Sequence, residues 1–375
     1  MKKFVYMDAS ASWLKNQSLV ECESDFLMNL YANAGRGVCA RAGHVDDLVF
    51  ESRQSVAEFI GTGVDNIVWV SGTTDAFNRI VNIIKNTIDG DCPVVAVSDL
   101  DHHSARLPFE MLAKKGGCKI VEFPIDADYN LDVNNIPNAD VYVITAMSNV
   151  IGVPQDVALI VKRIRGINQD ATIIVDAAQF VVHSKIDVRA FDCDFLCFSG
   201  HKIGSDTGIG VMYIKDPDKW SVDKFGGGMV NRIIGDDVIL NKSPEKFESG
   251  TLPLTQIIGL KDAIKNLLKW DGGQNLINYM YDELSKTQGI KIFTKRDSCM
   301  IDFIIENMHV LDVGEILGAY NICVRVGNMC ASWIHKRLGI DGSVRISVGP
   351  WNTMDDAKYV VDVIRDMVAK NVRNA

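Results

Sequence analysis

The sequence predicts an α/β protein: a mainly parallel sheet covered by helices on both faces, followed by a smaller α+β region. Three observations predict it. Short, unbroken apolar runs recur through the first two-thirds of the chain and alternate with amphipathic helical patterns, as strands buried on both faces do. Several of these runs stop abruptly at polar residues. After about residue 255 the texture changes to long helical patterns interrupted by a few short strands.

The first run, NIVWVS (66–71), leads into the amphipathic TTDAFNRIVNIIKN. PVVAVS (93–98) precedes a helix near 104–115, and KIVEFP follows. DVYVITA (140–146) precedes a helix near 156–166, and TIIVDAA (172–178) comes next. FLCFSG and GIGVMYI close the series, the latter a candidate antiparallel strand. Beyond 255, helical patterns near 256–287 lead to GIKIF and CMIDFII. A helix near 312–319, CVRVG, a helix near 331–337, VRISVG and a last helix near 354–370 complete the chain. No internal repeat or low-complexity tract is present.

A chain of 375 residues can bury a large core and suggests two domains, or one with an appendage. The 39 basic and 48 acidic residues give a net charge of −9, which argues against a nucleic-acid binder. No apolar run reaches the roughly 18 residues of a membrane span. The opening MKKFVYMDAS lacks the apolar stretch of a signal peptide. Nine cysteines are scattered with no C-x-x-C pair, so zinc-ribbon and thioredoxin chemistry are not expected and no metal site is read. Reduced thiols in a cytoplasmic protein are the simple reading, with most cysteines acting as small buried hydrophobes.

In open α/β sheets ligands bind beyond the carboxyl ends of the strands, and four strand ends here are polar. Gly72-Thr73-Thr74 opens a helix, where free N–H groups and hydroxyls suit a phosphate or merely cap the helix. His102 and His103 follow a second strand, and Asp176 ends a third with Gln179 three residues on. Ser199, His201 and Lys202 stand at the end of FLCFSG. Each has an ordinary reading as a cap, a loop histidine or a solvated lysine. Their order and combination are far more specific.

The series DASAS, SGTTDAFN, DHHSA, SNVIGVPQD, VDAAQ, FSGHKIGSDTGIG, GGGM and FESGT resembles the class V aminotransferases, and within them the cysteine desulfurases of the SufS and selenocysteine-lyase branch. The resemblance runs from about residue 6 to 352. It implies the fold type I of pyridoxal-phosphate (PLP) transferases. A large domain (13–258) would hold a mainly parallel, mixed seven-stranded sheet. A smaller α+β domain (259–375) would follow, with residues 1–12 packing nearby.

The same resemblance implies the site. Lys202 would carry PLP covalently, and Asp176 would pair with its ring nitrogen. Gln179 and Asn149 would approach the ring oxygen, Asn149 also facing substrate, and His102 would stack on the ring. Thr73, Thr74, Ser199 and His201 would hold the phosphate, and Thr251 would reach the phosphate of a neighbouring subunit, which implies a homodimer. Arg345 would clamp the substrate carboxylate, a task that suits the guanidinium fork, and Arg325 would be another substrate-binding arginine of the site. The alternatives are a turn residue for Thr251 and salt bridges for the arginines.

Cys330, in CVRVGNMCASWIHKRLG, falls where the family has its sulfur-accepting nucleophile. A helix start just beyond it favours the thiolate; a purely structural cysteine is the alternative. The loop departs from the branch pattern R-x-G-H-H-C, because Asn328 and Met329 replace both histidines. Cys39 also stands where a histidine is usual, and no role is assigned to it. The implied activity is conversion of L-cysteine to L-alanine with a persulfide on Cys330, passed on to an acceptor protein or thiol. Selenocysteine lyase, or another class V lyase or aminotransferase, is the enzymatic alternative. A non-catalytic sulfur-transfer scaffold is the alternative of a different class.

Overall fold

A computed structural model describes residues 4–35, 37–87 and 92–374, the last three by their backbone only. Its centre is a seven-stranded sheet. In spatial order the strands are Ile67–Val70, Gly210–Ile214, Phe195–Ser199, Thr172–Asp176, Val141–Thr145, Val94–Val97 and Lys119–Glu122. Gly210–Ile214 runs antiparallel to both neighbours and every other pairing is parallel. The fold is therefore the expected mixed, mainly parallel α/β sheet.

Both faces are buried, as the unbroken apolar runs required. Side chains alternate along each strand, so Tyr142 and Ile144 join one core while Val141 and Val143 join the other. The first core lies under the helices Ala40–Ile60, Val157–Arg165 and Leu254–Leu267. The second lies under Thr73–Thr87 and His103–Lys114. Helix Thr73–Thr87 packs through the stripe Phe77, Ile80, Val81 and Ile84. Its start is fixed by Asp75, whose carboxylate accepts from Ser71 N.

The remaining C-terminal chain builds a four-stranded antiparallel sheet in the order Ile290–Ile292, Ile301–Ile305, Ser343–Ile346, Arg325–Gly327. Helices Gln274–Leu284, Val310–Ala319 and Met354–Asn374 cover a third core. The N-terminal strand Val5–Tyr6 pairs in parallel with Ile322–Cys323, and Asp8 bridges to Ser347. The chain start is thus pinned to the smaller body and brings Asp8 beside Arg345.

Candidate active site

The carboxyl edge of the large sheet and one loop of the smaller body meet at a cavity of about 600 Å³. All the candidate cofactor, catalytic and substrate residues except Thr251 line it. Thr251 is exposed and lines a separate cavity of about 820 Å³ with residues of the Gly227–Gly228 turn.

The cavity floor depends on two glycines. A Cβ on Gly210 would lie 2.7 Å from the Gly72 Cα and 2.8 Å from the Phe198 carbonyl oxygen, closer than real Cβ atoms approach. Gly72 itself has φ +151° and would crowd Ser199 Oγ at 3.2 Å. This close approach lets Thr73 N donate to Ser199 Oγ at 2.9 Å, with the two hydroxyls also 2.9 Å apart. Hydroxyls and free N–H groups at the start of a fifteen-residue helix form an anion cradle.

Lys202 sits in the short turn Gly200–Ile203 that ends strand Phe195–Ser199. Burial pushes its amine down to about 8, against the pull of Asp176, while Arg345 adds to the depression. Asp176 ends the neighbouring strand, is buried, and accepts from Ala178 N at 2.9 Å. Burial raises its pKa, opposed by Ala178 N–H and Lys202. His102 caps helix His103–Lys114 by accepting from Ser104 N at Nδ1. Burial, then Lys202, His103 and Arg345, push it down to about 3, so its ring is neutral. Burial, Lys202 and Lys15 likewise push His201 down to about 4.

Several buried polar atoms of the wall have no hydrogen-bond partner among the described residues: Asn149 Oδ1, Gln179 Oε1 and Arg345 Nε. Groups of this kind cost free energy unless something pairs with them. With the carboxylate of Asp176 and the Thr73–Ser199 cradle, they fit a flat polar ligand that carries a ring nitrogen, a ring oxygen and a phosphate.

Two residues that bear on the site carried no assignment in the sequence. Asp8 accepts from Arg345 Nη2 at 3.1 Å through Oδ1 and from Arg325 Nη2 at 2.5 Å through Oδ2. Arg345 Nη1 also donates to the Asn149 carbonyl at 2.8 Å. One carboxylate thus orients both candidate substrate-binding arginines, and its only sequence signal is its place at the head of DASAS. His103 is the other. Its backbone N donates to the Cys330 carbonyl at 2.7 Å, and its Nε2 accepts from Ser332 N at 3.2 Å. The second member of the histidine doublet therefore fastens the Cys330 loop.

Cys330 is exposed on that loop. Met329 and Cys330 both have positive φ, 49° and 54°, a conformation that side chains other than glycine hold only when their surroundings enforce it. The surroundings do so. Asn149 Nδ2 donates to the Met329 carbonyl at 2.9 Å, and Cys330 N donates to Asn328 Oδ1 at 3.2 Å. Asn328, in place of a family histidine, helps to shape the loop.

Sheet, lysine turn and phosphate cradle define an enzyme of PLP-transferase fold type I. The family model for class V aminotransferases matches residues 5–360, and the chain belongs to that family. It is 30% identical to the cysteine desulfurase CsdA of Escherichia coli K12 over 374 residues, covering 96% of this chain and 93% of that protein. It is also 30% identical to a cysteine desulfurase of Dickeya dadantii, covering 95% and 90%. The apo cysteine desulfurase of Thermococcus onnurineus superposes with a TM-score of 0.92 at 28% identity, covering 98% of this chain and 95% of that one.

Proposed function

We propose that the protein is a PLP-dependent L-cysteine desulfurase that gives L-alanine and leaves the sulfur on Cys330 as a persulfide. The observation that carries this reading is that Lys202 and Cys330 line one cavity with two guanidinium groups oriented by Asp8. The reaction balances without an external oxidant. The carbon–sulfur bond of cysteine breaks, a sulfur–sulfur bond forms at Cys330, and the substrate carbon takes a proton. The sulfur then passes to an acceptor protein or thiol, and the enzyme works as a cytoplasmic homodimer.

When bound, PLP supplies the electron sink for negative charge at the substrate Cα. Lys202 would hold it, Asp176 would face its ring nitrogen, and Gln179 and Asn149 would approach its ring oxygen through the second hydrogen of amide nitrogens that already donate to the Ser10 and Met329 carbonyls. Thr73, Thr74, Ser199 and His201 hold the phosphate, joined by Thr251 of a second subunit. The uncharged ring of His102 stacks without adding positive charge to the site. Lys202 would also move protons at the substrate Cα, a task suited to an amine whose pKa burial has brought to about 8. Arg345 and Arg325 bind the substrate carboxylate and direct its sulfur toward Cys330.

Asn328 and Met329 favour one second reading, since neither transfers protons as the family histidines do: selenocysteine lyase, or another class V lyase or aminotransferase. Turnover of cysteine and selenocysteine, with alanine and sulfide or selenide both measured, separates the readings. Cys330→Ser should lose sulfide release from cysteine, and mass spectrometry after one turnover should find the added sulfur on Cys330 in the unmodified enzyme. Full cysteine activity in Cys330→Ser would overturn the assignment of the persulfide to Cys330. Selenocysteine turnover retained by that variant, with no cysteine turnover in either form, would establish the lyase.

A further inference from the structure

Behind the Cys330 loop lies a buried polar chain for which the reaction has no use. Asp302, Ser343 and His335 are 0%, 0% and 2% exposed in the smaller body. Ser343 Oγ lies 2.8 Å from Asp302 Oδ2 and 2.9 Å from His335 Nε2, and His335 Nδ1 lies 2.9 Å from the Ala331 carbonyl oxygen.

Counting protons constrains this chain. A carbonyl oxygen only accepts, so His335 Nδ1 carries a hydrogen and donates to Ala331. Ser343 has one hydroxyl hydrogen and two partners. Both of its contacts are hydrogen bonds only if Asp302 is protonated or His335 Nε2 carries a second hydrogen. The three side chains therefore need exactly one shared acidic proton; without it one contact is lost.

We propose that Asp302, Ser343 and His335 form a one-proton hydrogen-bonded chain that holds the Ala331 carbonyl and so positions the adjoining Cys330. The site of the proton follows from burial. Asp302 Oδ1 has no partner among the described residues, which leaves a charge there poorly supported. Burial raises Asp302 to about 8, opposed by Ser343 and Arg345, and lowers His335. Arg345, opposite Asp302 in the strand register, is the charged group facing the pair, and it is itself held by Asp8. The neutral arrangement is Asp302 donating to Ser343, Ser343 to His335 Nε2, and His335 Nδ1 to Ala331.

The backbone shows why Ala331 needs this support. Its carbonyl accepts the first-turn helical bond from His335 N at a long 3.4 Å, so the imidazole supplies the shorter contact. The preceding Met329 and Cys330 are held at positive φ. When rising pH removes the proton near 8, the Ser343 hydroxyl serves one neighbour and releases the other, and the loop loosens.

The consequence for sulfur transfer rests on Cys330 as the acceptor, but the chain itself is tested without turnover. Nitrogen-resolved NMR of labelled histidine in the full protein should show His335 as the neutral Nδ1–H form at pH 7. Peptide-resolved iodoacetamide alkylation of Cys330, with the exposed Cys39 as internal control, reads the loop between pH 6 and 9.5. Asp302→Asn keeps a donor toward Ser343 that cannot ionise. Its Cys330-to-Cys39 ratio should match wild type below pH 8 and fall several-fold short of it above. Ser343→Ala should give the loosened, faster ratio at every pH. Superimposable wild-type and Asp302→Asn profiles, or a His335 imidazolium at pH 7 that persists in Asp302→Asn, would overturn the proposal. Persulfide on another cysteine would overturn the functional reading alone.

Discussion

Two groups at the cavity show how environment decides what a residue is worth. Asp8 touches Arg325 at 2.5 Å and Arg345 at 3.1 Å, yet the longer contact matters more. The Arg325 side chain is 47% exposed and that of Arg345 only 3%. An exposed pair contributes at most about 1 kcal/mol, whereas breaking a buried one costs on the order of 3–5 kcal/mol. Double-mutant cycles by denaturant unfolding should therefore give a larger coupling for Asp8→Asn with Arg345→Gln than with Arg325→Gln; the reverse order would contradict the burial argument. Lys202 offers a second test. Attachment of PLP to the apo protein needs the neutral amine, and burial has lowered the pKa to about 8. The attachment rate, followed by absorbance, should rise with pH and level off just above 8 rather than near the ordinary lysine range. A profile still climbing through pH 10 would show that the amine is not depressed. The places of Lys202 and Asp176 at one cavity were legible because short motifs frame them. Asp8 was not, because its partners lie 317 and 337 residues away in sequence and no local pattern encodes such a pairing.

At the scale of elements, strands buried on both faces were the easiest to read, since Val141–Thr145, Thr172–Asp176 and Phe195–Ser199 are apolar on every turn of the pleat up to their polar ends. The helical texture of 256–287 concealed a break: helices Leu254–Leu267 and Gln274–Leu284 are separated by a turn with Gly272 and Gly273 at positive φ. CVRVG read as one strand, but the structure divides it. Ile322–Cys323 pairs with the chain start while Arg325–Gly327 pairs with Ser343–Ile346, a division set by tertiary partners rather than by composition. The glycines at the cavity floor make a sharper claim. Gly210→Ala puts a Cβ within 2.7 Å of backbone that cannot move without parting strand Ile67–Val70 from its neighbour. Overpacking of this kind costs about 1–3 kcal/mol, and the displaced atoms carry the Thr73–Ser199 cradle. Gly210→Ala should thus lower both thermal stability and PLP affinity, whereas Gly208→Ala, with open space around it but φ +82°, should lower stability alone. Equal PLP affinity for the two variants would separate the glycine packing from the cradle.

For the whole molecule the decisive residue is Thr251, which lies outside its own chain's Lys202 cavity. It is exposed, and the nearby hairpin Val230–Leu240 shows Ile233, Ile234 and Val238 to the surface at 65%, 55% and 56%, with Phe225 at 76%. Apolar side chains gathered in this way suit an association surface, and in the proposed homodimer a second copy of the chain would give Thr251 a phosphate to meet. A two-fold dimer is self-complementary, so each subunit would complete the other's site. Subunit mixing tests this. Lys202→Ala abolishes its own site but still presents Thr251; Thr251→Ala keeps Lys202 but loses the donated hydroxyl, a hydrogen bond to a charged group contributing about 1.5–3 kcal/mol. In a mixed dimer the Lys202-bearing site receives an intact Thr251 from its neighbour and is whole. Random reassortment of equal amounts makes half the dimers mixed, each with one whole site, so about a quarter of wild-type activity should return at limiting PLP. If Thr251 served only its own chain, every Lys202-bearing site in the mixture would still lack it, and activity would stay at half that of Thr251→Ala alone.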